Sequence, residues 1–346
     1  MTGAHFPFVT RKLLELWDEG RLPNVAGVEV EPEYGYVARI RYRSGAVRII
    51  RGSDVGLNAG AACELAKDKA YVKHFLRRSG FECPRGEAFL LPWWAEEIMP
   101  RLAERGFTRP RTTDGAAEYA AGLGFPVYLK PIDGAQGRGV WRCDSAARIQ
   151  PVIDHYAEQR IRLMVVEEAV DLPDHRLVVL RDRLISAYTR FPLNLTGDGT
   201  ATVAELLSGL QRGFRLSGRP TTIDAADARI AARLARAGLD LGSVPRRGET
   251  VVLHDISNLA AGGTALDVTA TVHPRWVRLA LDVTAELGLT FSGVDLACAD
   301  VTDPDAPYSV LEVNSSPGLD HYGSVGAEQR AVVDGLYALI LNEPPD

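Results

Sequence analysis

Residues 292–318 restrict the fold more than any other stretch: SGVDLAC is followed, after the polar turn DVTDPDAP, by YSVLEVNSSPG. Two such runs separated by turn residues predict adjacent β-strands. In the second run Val310, Glu312 and Asn314 alternate with Leu311 and Val313, the two-residue period of a pleated chain, so Glu312 and Asn314 are expected on one face. In the first, Asp295 stands between Val294 and Leu296, and a carboxylate in an apolar run is tolerated when it is paired or binds a metal. Asp, Glu and Asn supply the hard oxygen ligands that Mg²⁺ takes, commonly with ATP phosphates completing the shell. A hairpin whose polar side faces water also satisfies the pattern.

The chain's 346 residues leave room for two or three packed units around this hairpin. Hydrophobic residues at 46% and charged residues at 24% argue against disorder. A net charge of -6 offers no electrostatic case for nucleic acid as a partner. Cys63, Cys83, Cys143 and Cys298 are scattered without CxxC pairing, which suggests neither a zinc knuckle nor a disulfide framework. No run approaches the ~18 apolar residues of a membrane span, and the first twenty residues carry no long apolar segment before their charges. A cytoplasmic protein with reduced thiols and no membrane partner is expected.

Taken in order, residues 10–17 form a short amphipathic helix capped by Thr10, and YVARIRY and AVRII are strands joined at Ser44-Gly45. Residues 57–81 carry Ala, Leu, Phe and Lys at helical spacing up to Gly80, with Lys69 and Lys73 one turn apart. Lysines so placed ordinarily solvate a helix face. Residues 91–111 form a helical excursion whose Trp93 and Trp94 suit a core, a ligand or a subunit partner. After an Ala-rich helix over 114–124, FPVYLKPIDGAQGRGVWRC reads as strand, glycine loop, strand. Lys130 before GAQGRG has the character of a phosphate site, because glycine lets backbone amides approach an anion closely; a hairpin turn is the plainer reading. The loop matches neither the Walker nor the dinucleotide spacing. RLMVVEEAVD is a strand ending at Glu167 and Glu168, suited to an adenine slot or to an exposed strand end. Two strands follow around the turn at residues 181–183, with Asp174, Arg176 and Arg190 near their ends. Thr202 and Glu205 open a further helix as a capping box, and a loop rich in Gly and small polar residues (254–274) suits clasping a substrate.

In this order the motifs resemble the ATP-grasp superfamily, in particular the amide-forming ligases akin to cyanophycin synthetase, glutathione synthetase and the ribosomal-protein glutamate ligases; the resemblance runs over about 57–318. It implies an α/β (α+β) ATP-grasp fold: two α+β subdomains clasping ATP (68–165 with the glycine loop, 166–346 with the magnesium and substrate sites) behind a small N-terminal domain (1–67). It places Lys69 of the Asp68-Lys69 motif, Lys130, and Gly134, Gly137 and Gly139 at the nucleotide, Glu167, Glu168 and Ala169 at adenine, and Asp174 and Arg176 beside them. Asp295, Glu312 and Asn314 look like the family's Mg²⁺ (or Mn²⁺) set. The segments GDGTATVAELL, LDLGSVPRRGETVVL and SNLAAGGTALDVTATVHP are similar to the cyanophycin-synthetase branch, which puts Asn258, Gly262 and Gly263 at the acyl-substrate site. Those relatives usually have an arginine where this chain has His254, so the cationic partner of the intermediate falls to Arg190 or to His254. The implied activity is ATP-dependent ligation of a carboxylate to an amine through an acyl phosphate, from amino-acid substrates, by a homo-oligomer. A kinase of the same fold and a nucleotide-binding regulator without chemistry are the alternatives.

Overall fold

The computed structural model describes residues 5–107, 110–134, 137–216, 219 and 221–345. The chain opens with α1 (Phe8–Asp18) and an antiparallel sheet of β1 (Val25–Val30), β2 (Val37–Tyr42) and β3 (Val47–Arg51). The first helix begins earlier than its sequence suggests. Pro7 holds the N-cap position, and Thr10 lies inside the helix, where its buried hydroxyl donates to the Gly35 carbonyl at 2.7 Å.

The expected single helix over 57–81 is two, α2 (Gly60–Lys67) and α3 (Lys69–Arg78). Asp68 breaks them: its backbone is extended and its carboxylate accepts from the amides of Ala70 and Tyr71, so it serves as the N-cap of the second. Next come β4 (Gly86–Leu90), α4 (Pro92–Glu104), α5 (Ala116–Leu123), β5 (Val127–Pro131), β6 (Trp141–Cys143), α6 (Ile149–Glu158) and β7 (Leu163–Glu168). Their sheet has the antiparallel order β4-β7-β5-β6, and α5 and α6 bury Ala116, Ala120, Val152 and Tyr156 against it. The Trp93 indole donates to the Ile161 carbonyl at 2.9 Å, and Arg160 stacks 3.9 Å over its ring. Trp94 carries Arg162 at 4.6 Å, so both tryptophans of the excursion are used within the chain.

The chain then crosses into β8 (Asp174–Leu180) and β9 (Arg183–Phe191). It leaves them for a small unit of β10 (Asn194–Thr196), α7 (Val203–Leu216), α8 (Ala228–Arg236) and β11 (Thr250–Val252), which has its own core around Leu193, Leu207, Leu234 and Leu253. The capping box forms: the Thr202 amide donates to Glu205 at 2.8 Å and the Thr202 hydroxyl accepts from the Glu205 amide at 3.3 Å. The chain returns through β12 (Thr264–Asp267), α9 (Pro274–Glu286), β13 (Phe291–Cys298) and β14 (Tyr308–Asn314), and ends in α10 (Asp320–Gly323) and α11 (Ala327–Asn342). The resulting five-stranded sheet is antiparallel throughout, in the order β12-β9-β8-β13-β14.

The two faces of that sheet differ. One buries Leu177, Val179, Ala187, Val294 and Leu296 under α9. The other starts apolar, where Val178, Leu180 and Phe291 pack with α1, α11 and the N-terminal sheet. Farther along the same strands, side chains two residues apart share this face, and there it becomes charged: Asp174 and Arg176 on β8, Arg190 on β9, Asp295 on β13. This gradient along the strands positions the site. Among the described residues no helix is long and apolar enough to cross a membrane.

Candidate active site

Strand register sets one row of side chains across four strands: Tyr188 is opposite Arg176, Arg176 opposite Asp295, and Asp295 opposite Glu312. Asn314 lies two residues farther along β14, opposite Gly293. The predicted alternation fails at one point. A bulge between Asp295 and Leu296 pairs Leu296 with Val310, and Val310 joins Val313 in the core beneath α9 instead of sharing a face with Glu312. Glu312 and Asn314 keep the face expected of them.

Asp295 is buried, and its charge is matched by guanidinium groups. Arg176 grips it with a two-pronged contact (Nε to Oδ1 2.6 Å, Nη2 to Oδ2 2.8 Å), and Arg190 Nη2 lies 3.0 Å from Oδ2. Arg190 also donates to Asp174 Oδ1 at 2.6 Å. Burial works against the Asp295 charge, but the two arginines outweigh it and hold the group below its ordinary value. Asp174 goes the other way, pushed up to about 6 by burial and by the Asp295 charge, against the pull of Arg190. Asp174, Arg176 and Arg190, expected at the nucleotide and the intermediate, thus form with Asp295 a single buried network of two acids and two bases.

The second charged cluster joins the two large sheets. Lys69 Nζ donates to the Gly134 carbonyl at 2.5 Å and lies 3.4 Å from Glu312 Oε1, so one lysine touches both the glycine loop and the β13–β14 hairpin. Lys130 Nζ contacts Glu167 Oε1 at 2.5 Å, and Lys73 takes the other oxygen of the same carboxylate. Burial opposes the Glu167 charge, yet Lys130 and Lys73 take it down to about 2. Burial depresses Lys73 to about 8, with Glu167 opposing and Lys130 adding to the fall. Lys130 is raised because Glu167 outweighs its burial. One carboxylate between two ammonium groups leaves Lys73 the less compensated.

The acids expected at adenine have partners within the chain. Both Glu167 oxygens are taken by lysines, while Glu168 accepts from the Arg85 amide at 2.7 Å and from Arg85 Nε at 2.6 Å. The Ala169 amide donates to Pro126 at 3.3 Å. Lys73, which its sequence placed on a solvated helix face, is buried. The available signal was its spacing of four from Lys69, between the apolar Val72 and Leu76. Asn58 was also missed. Its amide donates to the carbonyls of Phe291 and Ser315, both at 2.7 Å, and accepts from the amides of Thr290 and Phe291, tying the start of β13 to the turn after β14.

The predicted substrate loop is a tight turn. Asn258 Oδ1 accepts from the Ala260 amide at 2.8 Å, and Gly262 follows in the left-handed region. A Cβ on Gly263 would lie 2.5 Å from the Phe191 carbonyl oxygen and 2.8 Å from that of Asn258, both backbone atoms. Gly263→Ala is therefore expected to destabilise the protein by roughly 1–3 kcal/mol through displaced backbone; a thermal unfolding midpoint equal to wild type would count against this packing. His254 is buried and held below its ordinary value by burial and by Arg229. The charges that act on it are those of Arg229, Asp227 and Asp255. Gly137 and Gly139 bound the far side of the glycine loop, and Tyr156 hydrogen-bonds to the Leu129 carbonyl at 2.9 Å and to that of Gly139. Ala135 and Gln136 of the loop lie outside the described residues.

The hairpin's oxygen groups suit a hard divalent cation. A carboxylate offers about four acceptor directions, and three guanidinium contacts leave Asp295 one of them. Among the described residues, Asn314 Nδ2 is buried without a partner, as is Arg190 Nε. Also among these residues, no group of three or more His, Cys, Asp or Glu side chains could hold a metal. A cation here would therefore draw on the Glu312 carboxylate, the Asn314 amide oxygen, the open direction of Asp295 and oxygens brought by a ligand.

No family model matches the chain. Cyanophycin synthetase of Nostoc sp. is 33% identical over 268 residues, covering 74% of this chain and 27% of the relative. The glutathione biosynthesis bifunctional protein GshAB of Enterococcus faecalis is 27% identical over 286 residues, covering 80% of this chain and 35% of the relative. The chain thus spans about a quarter to a third of the length of these curated relatives. Among solved structures, a bifunctional glutathione synthetase from Pasteurella multocida superposes with a TM-score of 0.57 at 21% identity, over 96% of this chain and 44% of that one; this likeness concerns the fold.

Proposed function

Starting from a chain that belongs to the ATP-grasp superfamily, we propose that this protein is an ATP-dependent carboxylate–amine ligase. It joins small amino-acid substrates as a dipeptide or γ-glutamyl-type amide and releases ADP and phosphate. The observation that carries this reading is Lys69, whose ammonium group touches the glycine loop at Gly134 and the acidic hairpin at Glu312. Cationic groups that meet at a glycine loop and an acidic hairpin are what a nucleoside triphosphate requires.

In this reading ATP lies between the four-stranded and five-stranded sheets. The γ-phosphoryl group passes to a substrate carboxylate oxygen, with cleavage of the bond to the β-phosphate. The amine nitrogen then adds to the acyl carbon, the bond to phosphate breaks, and the nitrogen gives up its proton. Lys69 and Lys130 neutralise phosphate oxygens, with Glu167 fixing the position of Lys130. Arg190, anchored by Asp174, faces the developing oxyanion. Asp295, Glu312 and Asn314 would hold Mg²⁺, which would supply charge neutralisation for the phosphates. The chemistry uses no nucleophilic side chain.

The test is ADP release from the full chain with Mg²⁺-ATP against all pairs of the common amino acids, followed by mass spectrometry. Amide product formed with an equivalent of ADP is the expected result. A phosphorylated product formed without any amine would favour a kinase, and ATP binding without turnover across the panel would favour a regulator.

A further inference from the structure

A side chain of the small unit between β9 and β12 reaches across to the glycine loop. On α8, Arg229 directs Nε and Nη2 at the carboxylate of its own N-cap residue, Asp227, at 2.6–3.1 Å. This grip fixes the plane of the guanidinium group and leaves Nη1, which donates to the Gly137 carbonyl at 2.8 Å. Gly137 has a φ of +68°, a backbone that favours glycine. A Cβ there would lie 2.1 Å from Ile256 Cδ1 and 3.4 Å from Asn258 Nδ2, so the glycine loop rests directly on the turn that carries Asn258, Gly262 and Gly263. Beside the contact is a shallow surface cleft lined by Trp141, Arg142, Arg236, His254 and Asp255 among others. The seating of Gly137 thus combines the Arg229 hydrogen bond, the glycine backbone and close packing on Ile256.

We propose that Arg229 is a positioning residue that couples the phosphate-binding glycine loop to the substrate loop at Asn258, keeping the acyl phosphate out of reach of water until the amine arrives. This rests on the ligase reading above. With the coupling lost, water adds to the acyl carbon, the bond to phosphate breaks, and the original carboxylate and inorganic phosphate leave with a proton. ADP then forms without amide. Asp227 orients the guanidinium group, and Tyr128 on β5, whose hydroxyl donates to the Asp255 carbonyl at 3.3 Å, ties the strand before the glycine loop to the start of the 254–274 loop.

The experiment compares wild type, Arg229→Met and Arg229→Lys as full chains. With the best amino-acid pair, the ratio of ADP to amide is expected to rise about tenfold in Arg229→Met, the worth of one charge-assisted hydrogen bond, and to recover in part in Arg229→Lys, with the KM for ATP little changed. A ratio unchanged from wild type, with loss confined to total rate or thermal stability, would overturn the proposal. A second measurement is independent of turnover. The Val140 amide donates to the Gly137 carbonyl, and its hydrogen exchange in the presence of a non-hydrolysable ATP analogue is expected to quicken about tenfold in Arg229→Met. Unchanged exchange overturns the coupling even if the ligase reading stands, whereas quickened exchange in a chain that makes no amide would sink that reading and leave the contact intact.

Discussion

Glu167→Ala is expected to cost roughly 3–5 kcal/mol of folding stability, because it strips the shared counter-ion from two buried ammonium groups. Lys73 and Lys130 are both largely out of water, and each is held by a different oxygen of this one carboxylate. The loss should appear as a lower urea midpoint at unchanged slope. The acid limb gives a second signature. Glu167 is taken from its ordinary 4.5 to about 2 on folding, so its contribution is fully present above about pH 4.5 and is lost as pH falls through about 2. The variant should lack that part of the wild-type decline. Lys73 acts at the other end. Its folded value of about 8 lies below its ordinary 10.5, so the folded protein binds fewer protons in that window and stability rises with pH across it. A Glu167→Ala midpoint within about 0.5 kcal/mol of wild type, the range of ordinary surface substitutions, would show that the two lysines do not depend on it.

Glu312→Gln is expected to leave the fold intact and to lower Mg²⁺-dependent turnover by about 10²–10³-fold, the usual loss when one preorganised charge at a phosphoryl centre is removed. The change is isosteric. Glu312 is 33% exposed, and its one ion pair among the described residues, to Lys69, is long at 3.4 Å, so little stability is at stake. The Mg²⁺ concentration giving half-maximal rate should rise, and urea unfolding should not change. Wild-type turnover at low Mg²⁺ would remove Glu312 from the proposed cation site. Asp295→Asn would be a poorer probe, since it disturbs Arg176 and Arg190 in the buried network as well as the cation site.

Where the signal was local, the sequence was legible. The runs ending at Cys298 and Asn314 pair as strands, the capping box at Thr202 and Glu205 forms, and Lys130 precedes the glycine loop at the end of its strand. Periodicity and turn chemistry act between near neighbours, so they can be read without knowing the fold. The bulge that moves Val310 to the other face was not legible, because it depends on how β14 meets β13. Nor was the break at Asp68, since its cap competed with an unbroken helical pattern on both sides.

The chain by itself determined which side chains could serve the chemistry: three oxygen-bearing hairpin residues, two lysines before and after the opening strand of the four-stranded sheet, and a glycine-rich loop. Tertiary structure alone decided how they are matched. It gave Glu167 to Lys73 and Lys130, Asp295 to Arg176 and Arg190, and Gly137 to Arg229, across separations of 37 to 119 residues. The physical reason is that a buried charge must find a counter-charge within a few ångströms. Which one lies that close is set by strand register and by the docking of one sheet on another, and neither is written in the spacing of residues along the chain.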